Sequence, residues 1–418
     1  MVLAVVPTSP PSKGSGASRL RAVPRAVILL GVVSFLTDLS SEAIFAVLPL
    51  FMTGVMGAGP LLLGAMEGVA DFAASSLDLA SGYASDRLGK RKGLAVLGYG
   101  LSSVAKLVLL VAATAGQVFA FRVVERLGKS IRGAPRDALL AGVAPKESRG
   151  LSFGVHKAFD KAGAILGPLV AFALLDAYGQ SLASFRRLFL VALLPAFASV
   201  AVLFFFVPER AGAGPRRIPL RQALATLGPG FRHYLISAGL FSGAYFSYAF
   251  IVLAAARAHF EGKHVALLYA LLNLSFTVLS VPIGRLGDRI GRRALIAASY
   301  GLYGLMALGF MVATSKPAVI ALFVVYGVFY AIDEGQTKAY IADLVPDGAR
   351  ATAIGAYGFV TAFVYLPASL LAGALSAAVA PAAAFGVAAG LAFVALGYFL
   401  AFRPRVPAPA PALSEGGT

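Results

Sequence analysis

The sequence predicts an all-α membrane protein of twelve transmembrane helices, arranged as two pseudo-symmetric six-helix halves. Three observations carry this. Of the 418 residues, 59% are hydrophobic and 13% charged, and the mean hydropathy is +0.82, outside the range of an ordinary soluble domain. Apolar runs of the roughly 20 residues needed to cross a bilayer recur along the chain. The stretch Gly82-Tyr-Ala-Ser-Asp86-Arg87-Leu-Gly89-Lys90-Arg91 returns as Gly284-Arg-Leu-Gly-Asp288-Arg289-Ile-Gly291-Arg292-Arg293, with Gly82, Asp86, Arg87, Gly89 and Arg91 matched to Gly284, Asp288, Arg289, Gly291 and Arg293 at one offset of 202 residues. Each copy sits between apolar runs, which points to an internally duplicated membrane protein.

The elements follow in order. Residues 1–26 are polar and rich in Pro, Ser and Gly, with Lys13, Arg19, Arg21 and Arg25 ahead of the first apolar run. That order is wrong for a cleaved signal peptide and reads as a flexible tail. Six spans near 27–52, 61–84, 94–114, 117–141, 151–176 and 187–207 make an N-terminal bundle, residues 27–207. The Pro/Arg-rich stretch 208–233 reads as a linker. Six more spans near 234–256, 265–286, 294–314, 318–343, 351–376 and 382–402 make the second bundle, residues 234–402, with a tail at 403–418. A second echo matches Ala141, Pro145, Arg149 and Gly154 to Ala342, Pro346, Arg350 and Gly355 at an offset of 201. Within it Arg132 aligns with Asp333 and Asp137 with Lys338, so the halves are alike in frame and unlike in charge.

Formal net charge is +17. The cations are dispersed between apolar spans, which argues for a bilayer rather than nucleic acid as the partner. With both termini cytoplasmic, the outer loops hold only Arg186, Arg187, Arg257, Lys263 and Lys316, and the inner segments hold most other basic residues. The positive-inside rule therefore puts both tails in the cytoplasm. There is no cysteine, so disulfides and thiolate metal sites are excluded.

Charges inside a bilayer are costly and normally face a cavity or a partner. Asp38 and Glu42 stand four apart on the first span, and Glu67 and Asp71 repeat that spacing on the second. Two acids on one helix face in low dielectric favour keeping a proton on one of them, the requirement for a proton carrier near neutral pH. The alternative is that Ser34, Ser40, Ser41 or a lysine of another helix satisfies them. On the fourth span Arg122, Glu125, Lys129, Arg132 and Arg136 recur at three- and four-residue steps, predicting one charged face. It can bind an anionic group or form an ion-pair network with the acids of the second span. His156 and Asp160 share a face of the fifth span, and Asp333 and Glu334 stand on the tenth. With the carboxylates of the first span, His156 and Asp160 could form a metal site, but without cysteine or a second intramembrane histidine none is expected. Tyr245, Tyr248, Asn273, Tyr326, Tyr330, Tyr357 and Tyr365 are candidate cavity lining in the second half, the alternative being plain packing.

The duplicated G-x-x-x-D-R-x-G-[RK]-[RK] stretch resembles the loop signature of the major facilitator superfamily, and the resemblance covers nearly the whole chain. It implies secondary transport by alternating access, with the two loops acting in gating and Asp86 bonding across the halves when the cytoplasmic side is closed. Gly154, Gly163, Gly167, Pro168 and Ala171 are similar to the fifth-helix signature of the superfamily's antiporters, which implies export. Arg122 with Glu125 is loosely similar to its R-x-x-[QE] proton-transfer signature, although Arg126 replaces the following glycine. The stretches 125–139 and 333–343 resemble a bacterial and archaeal branch, some of whose members are linked to metal resistance or siderophore export.

The expected function is proton-coupled export of a small solute across the cytoplasmic membrane by a monomer with no cofactor. Transport of a metal cation, an anionic metabolite or a siderophore is the alternative. A membrane sensor or enzyme on the same scaffold is disfavoured, because no phosphate-binding glycine loop or nucleophile–base set is present.

Overall fold

A computed structural model describes residues 23–88, 91–145, 149–209, 227–346 and 350–402. They form twelve helical spans: α1 (Arg25–Val55), α2 (Pro60–Leu88), α3 (Arg91–Val111), α4 (Ala115–Val143), α5 (Arg149–Tyr178), α6 (Leu182–Phe206), α7 (Pro229–Arg257), α8 (Gly262–Ile290), α9 (Arg292–Val312), α10 (Lys316–Leu344), α11 (Arg350–Ala378) and α12 (Pro381–Ala401). No strand occurs among the described residues. Ten spans are long and apolar enough to cross a membrane; α2 and α4, which carry the clustered charges, fall outside that test.

Each helix begins one to five residues before its apolar run, because polar caps and first-turn prolines, invisible to hydropathy, are the starting signals. Thr114 opens α4 through a capping box with Gln117, Ser181 caps α6, and prolines stand in the first turns of α7, α10 and α12.

Helix packing repeats with a shift of six. Within the first half α1 packs on α5 and α6, α4 on α2 and α3, and α3 on α6; within the second, α7 packs on α11 and α12, α10 on α8 and α9, and α9 on α12. The halves meet chiefly along two contacts that the same operation exchanges, α2 with α11 and α5 with α8. One polar bond is duplicated as well: Arg91 Nη1 donates to the Ala138 carbonyl at 3.1 Å, and Arg292 Nη1 to the Ala339 carbonyl at 3.0 Å. Arg91 therefore corresponds to Arg292, not to Arg293 as the 202-residue offset has it. The first copy holds one extra residue after its second loop glycine.

α1 and α7 are both interrupted at matching places. α1 turns at Ala46–Val47 and finishes with a π-helical turn, Phe51–Val55. α7 breaks at Tyr245–Ser247, where the Phe246 N–H donates to the Tyr303 hydroxyl at 2.9 Å and that hydroxyl donates to the Ala244 carbonyl at 3.3 Å. One phenol thus bridges a donor and an acceptor freed by the break, as unwound backbone at membrane depth requires. The breaks touch: Tyr248 Oη donates to the Ala46 carbonyl at 3.4 Å.

Toward the end opposite the chain termini the halves close at backbone distance. A Cβ on Gly64 would strike the Ser369 carbonyl oxygen, one on Gly373 would lie 2.8 Å from the Pro60 carbonyl oxygen, and Ser369 Oγ donates to the Gly64 carbonyl at 2.8 Å. In the other contact between the halves, Lys263 of α8 pairs with Asp176 of α5 at 3.0 Å.

Candidate functional site

Between the halves lies a cavity of about 240 Å³, lined from the first half by Glu42, Phe45, Glu67, Asp71, Arg122, Arg126, Lys129 and Lys161 and from the second mainly by tyrosines. A second chamber of about 210 Å³ shares Asp71, Tyr245 and Tyr365 with it and continues past Ser75 to Asp333, Tyr357 and Thr361. All seven C-terminal candidates, Tyr245, Tyr248, Asn273, Tyr326, Tyr330, Tyr357 and Tyr365, line one or both. Tyr269, Phe276, Arg126 and Lys161 line the first cavity too; only their ionic or aromatic character pointed there.

Its floor is an ion network. Arg122 is 6% exposed and donates through Nε and Nη2 to the two oxygens of Glu67 at 2.9 and 2.8 Å, a bidentate fork that suits a planar guanidinium. The guanidinium also lies 4.2 Å from the Phe45 ring centroid, and its Nη1 is 3.6 Å from Glu125 Oε2. Arg126 pairs with Asp71 at 3.0 Å. Lys129 lines the cavity with no ion-pair partner within 4 Å among the described residues.

The single charged face predicted for α4 is corrected. Steps of three turn a residue about 60° one way and steps of four about 40° the other, so the stripe divides. Arg122, Arg126 and Lys129 face the cavity. Glu125 and Arg132 turn against α3, where Arg132 Nη1 donates to Ser102 Oγ at 2.7 Å and its guanidinium lies 4.6 Å from the Tyr99 ring centroid. Both Glu125 oxygens are buried without a hydrogen-bond donor. Arg136 pairs with Asp137 at 2.9 Å.

The acids of α1 go separate ways. Glu42 Oε2 accepts from the Tyr269 hydroxyl of α8 at 2.6 Å, across the halves. Asp38 of α1 faces Asp160 of α5, the two carboxyls within mutual hydrogen-bonding reach. Asp160 also lies 3.4 Å from Lys157, and Lys157 reaches Glu334 of α10 at 3.1 Å, with Lys161 at 4.0 Å on its other oxygen. His156 is buried with Nε2 unbonded and lines neither cavity. Among the described residues Asp333 accepts only from Thr337 Oγ1, at 3.4 Å.

Sequence reasoning passed over Lys106, which sits where α3 is interrupted and donates to Ser40 Oγ at 2.7 Å and Ser41 Oγ at 3.0 Å. A lone lysine in an apolar run was the available signal. No three His, Asp or Glu side chains among the described residues form a metal-holding group.

On α5, Gly163 and Gly167 face the α1 backbone, 2.9 Å from the Leu39 nitrogen and 2.8 Å from the Ala43 nitrogen for an added Cβ, whereas Gly154 faces open space. Of the loop residues, the side chains of Asp86 and Arg87 and all of Gly89 lie outside what is described, as does the setting of Gly82. Among the described residues nothing lies within 4 Å of a Cβ added at Gly284, and Asp288, with Arg292 at 4.0 Å, is exposed, as is Arg289. Gly291, at φ +91°, ends α8 in a conformation that favours glycine. Arg293 donates to the Phe399 and Phe402 carbonyls at 2.8 and 2.9 Å, tying α9 to the end of α12.

Two six-helix halves around a charged cavity are matched by the family model of the Major Facilitator Superfamily over residues 30–262 and 234–418. The chain belongs to this superfamily. It is 37% identical over 361 residues to an uncharacterized MFS-type transporter of Methanocaldococcus jannaschii, covering 85% of this chain and 89% of that one. In fold it is similar to a nucleoside transporter in a point-mutant form, with a TM-score of 0.76 at 13% identity over 90% of this chain and 99% of the other. A POT family transporter bound to a thioalcohol-conjugated peptide gives 0.73 at 13% identity over 92% and 98%. The superfamily member is a multi-pass membrane protein and a secondary transporter.

Proposed function

We propose that this transporter is a proton-coupled exporter of the cytoplasmic membrane, with both termini in the cytoplasm. The carrying observation is the run Asp38, Asp160, Lys157, Glu334. The first two face each other within hydrogen-bonding reach, where a proton held between them relieves the repulsion, and the last two join the halves at 3.1 Å. Losing the shared proton leaves two carboxylates in contact, and the repulsion draws Lys157 toward Asp160 and away from Glu334. Protonation and the joining of the halves thus compete for one ammonium group. Lys129 and Arg136 on α4, Glu42 on α1, and His156 and Lys161 on α5 set the field around the acid pair.

Export is supported by the seating of Gly163 and Gly167 on α1. With the termini cytoplasmic, the Gly64–Ser369 seam closes the outer side and the chambers extend toward the cytoplasm, where an exporter loads. The test is a gradient-driven assay beside a counterflow assay on Asp38→Asn and Asp160→Asn in liposomes. Loss of gradient-driven transport with counterflow intact is expected. Full accumulation by both variants would overturn the reading.

A further inference from the structure

The charges lining the first cavity are largely matched in pairs, Glu67 with Arg122, Asp71 with Arg126 and Glu334 with Lys157 and Lys161. The adjoining chamber is different. Among the described residues it is lined by two acids, Asp71 and Asp333, by the aromatic rings of Phe241, Tyr245, Tyr357 and Tyr365, and by no Lys, Arg or His. Asp71 is already neutralised by Arg126, whose side chain belongs to the first cavity. Asp333 has no cation within ion-pair range among the described residues, only the Thr337 hydroxyl at 3.4 Å.

The duplication sharpens the contrast. Asp333 occupies the position that Arg132 holds in the first half, and Arg132 is consumed by packing against Ser102 and Tyr99. The second half has an acid of opposite sign there, turned into a chamber. A carboxylate at membrane depth demands a cation, and aromatic faces around it attract a cation that has lost its water.

We propose that the chamber between α2, α7, α10 and α11 binds the ammonium group of an organic cation, with Asp333 as counter-ion and Tyr357, Tyr245, Phe241 and Tyr365 as the aromatic enclosure. This names a substrate class for the transport site proposed above and rests on that reading. The larger tyrosine-lined cavity beside it takes the remainder of the molecule.

Equilibrium binding of tritiated benzyltrimethylammonium to the purified full-length protein, with no ion gradient, tests the assignment. The probe cannot donate a hydrogen bond, so it reads charge and ring contact alone. Saturable binding is expected, reduced about tenfold or more in Asp333→Asn, where the counter-ion is lost. It should fall in Tyr357→Leu and survive in Tyr357→Phe, because the ring and not the hydroxyl supplies the contact. Benzylamine should compete and phenylacetate should not. Glu261→Gln, an exposed acid outside the chamber, controls for a general charge effect. No saturable binding by the wild type up to about 10 mM, or equal binding by a folded Asp333→Asn protein, overturns the proposal; the latter would mean that Asp333 holds a proton. Asp38→Asn should bind the probe normally, so that loss of binding and loss of coupling are separate failures.

Discussion

Lys157 of α5 places its ammonium group 3.1 Å from Glu334 of α10 and 3.4 Å from Asp160 of its own helix, so one cation links an acid of each half. The side chains of Lys157 and Glu334 are 51% and 40% exposed. A pair that open adds at most about 1 kcal/mol to stability. About 1 kcal/mol is nevertheless a fivefold bias between two conformations of similar energy.

Glu334→Gln should therefore leave the melting temperature nearly unchanged and move the distance distribution between the halves. The chain has no cysteine, so spin labels at Phe153→Cys and Leu286→Cys report the α5–α8 separation directly. A broader, longer distance is expected for Glu334→Gln, and one resembling wild type for the swapped pair Lys157→Glu with Glu334→Lys. An unchanged distribution in the single variant would remove this bridge from any conformational role.

The Arg122–Glu67 fork behaves differently because it is buried. Removing one partner of such a pair strands the other and costs about 3–5 kcal/mol. Arg122→Gln should be the worse of the two single changes, since Arg122 also faces Glu125 at 3.6 Å. The double variant Arg122→Gln with Glu67→Gln should recover part of the loss. Unfolding in detergent followed by circular dichroism measures all three, and simple additivity would contradict a coupled pair.

Closure opposite the termini rests on absent side chains. Gly64→Ala drives a Cβ into the Ser369 carbonyl, while Gly100, with nothing within 4 Å, is an internal control. Gly64→Ala should open that seam, seen as faster maleimide labelling of Leu62→Cys, and slow turnover. Gly100→Ala should do neither. Equal labelling rates would show that the seam accommodates a methyl group.

How much of this was legible depends on what each feature consists of. The spans, the duplication and the tyrosine lining are carried by local composition, and all are present in the structure. Two things were distorted by reading spacing alone. The stripe on α4 looked continuous because steps of three and four nearly cancel, yet Glu125 and Arg132 drift around to α3. The loop repeat kept one offset in the alignment, although the bonds of Arg91 and Arg292 reveal a one-residue slip. The Asp38–Asp160 contact was only partly legible. Each acid was visible, but their meeting depends on α1 and α5 lying side by side, which in turn depends on Gly163 and Gly167 lacking side chains.

That dependence makes the last prediction. Gly163 and Gly167 let α5 approach α1 so closely that a Cβ at Gly163 would meet the Phe35 carbonyl and lie 3.1 Å from the Asp38 Cβ. Small residues are the usual means by which membrane helices come this near. Gly154, in the same motif, faces open space. Gly163→Val should push the helices apart at the level of the acid pair, separating Asp38 from Asp160 without altering either. Gradient-driven transport should fall to the level of Asp38→Asn. Gly154→Val, on the same helix and equally bulky, should retain most of it. The comparison is made on protein verified as inserted and monodisperse, in proteoliposomes with the proton gradient applied or collapsed. If Gly163→Val accumulates substrate as well as Gly154→Val does, the close approach of α1 and α5 is packing alone, and the shared proton belongs elsewhere.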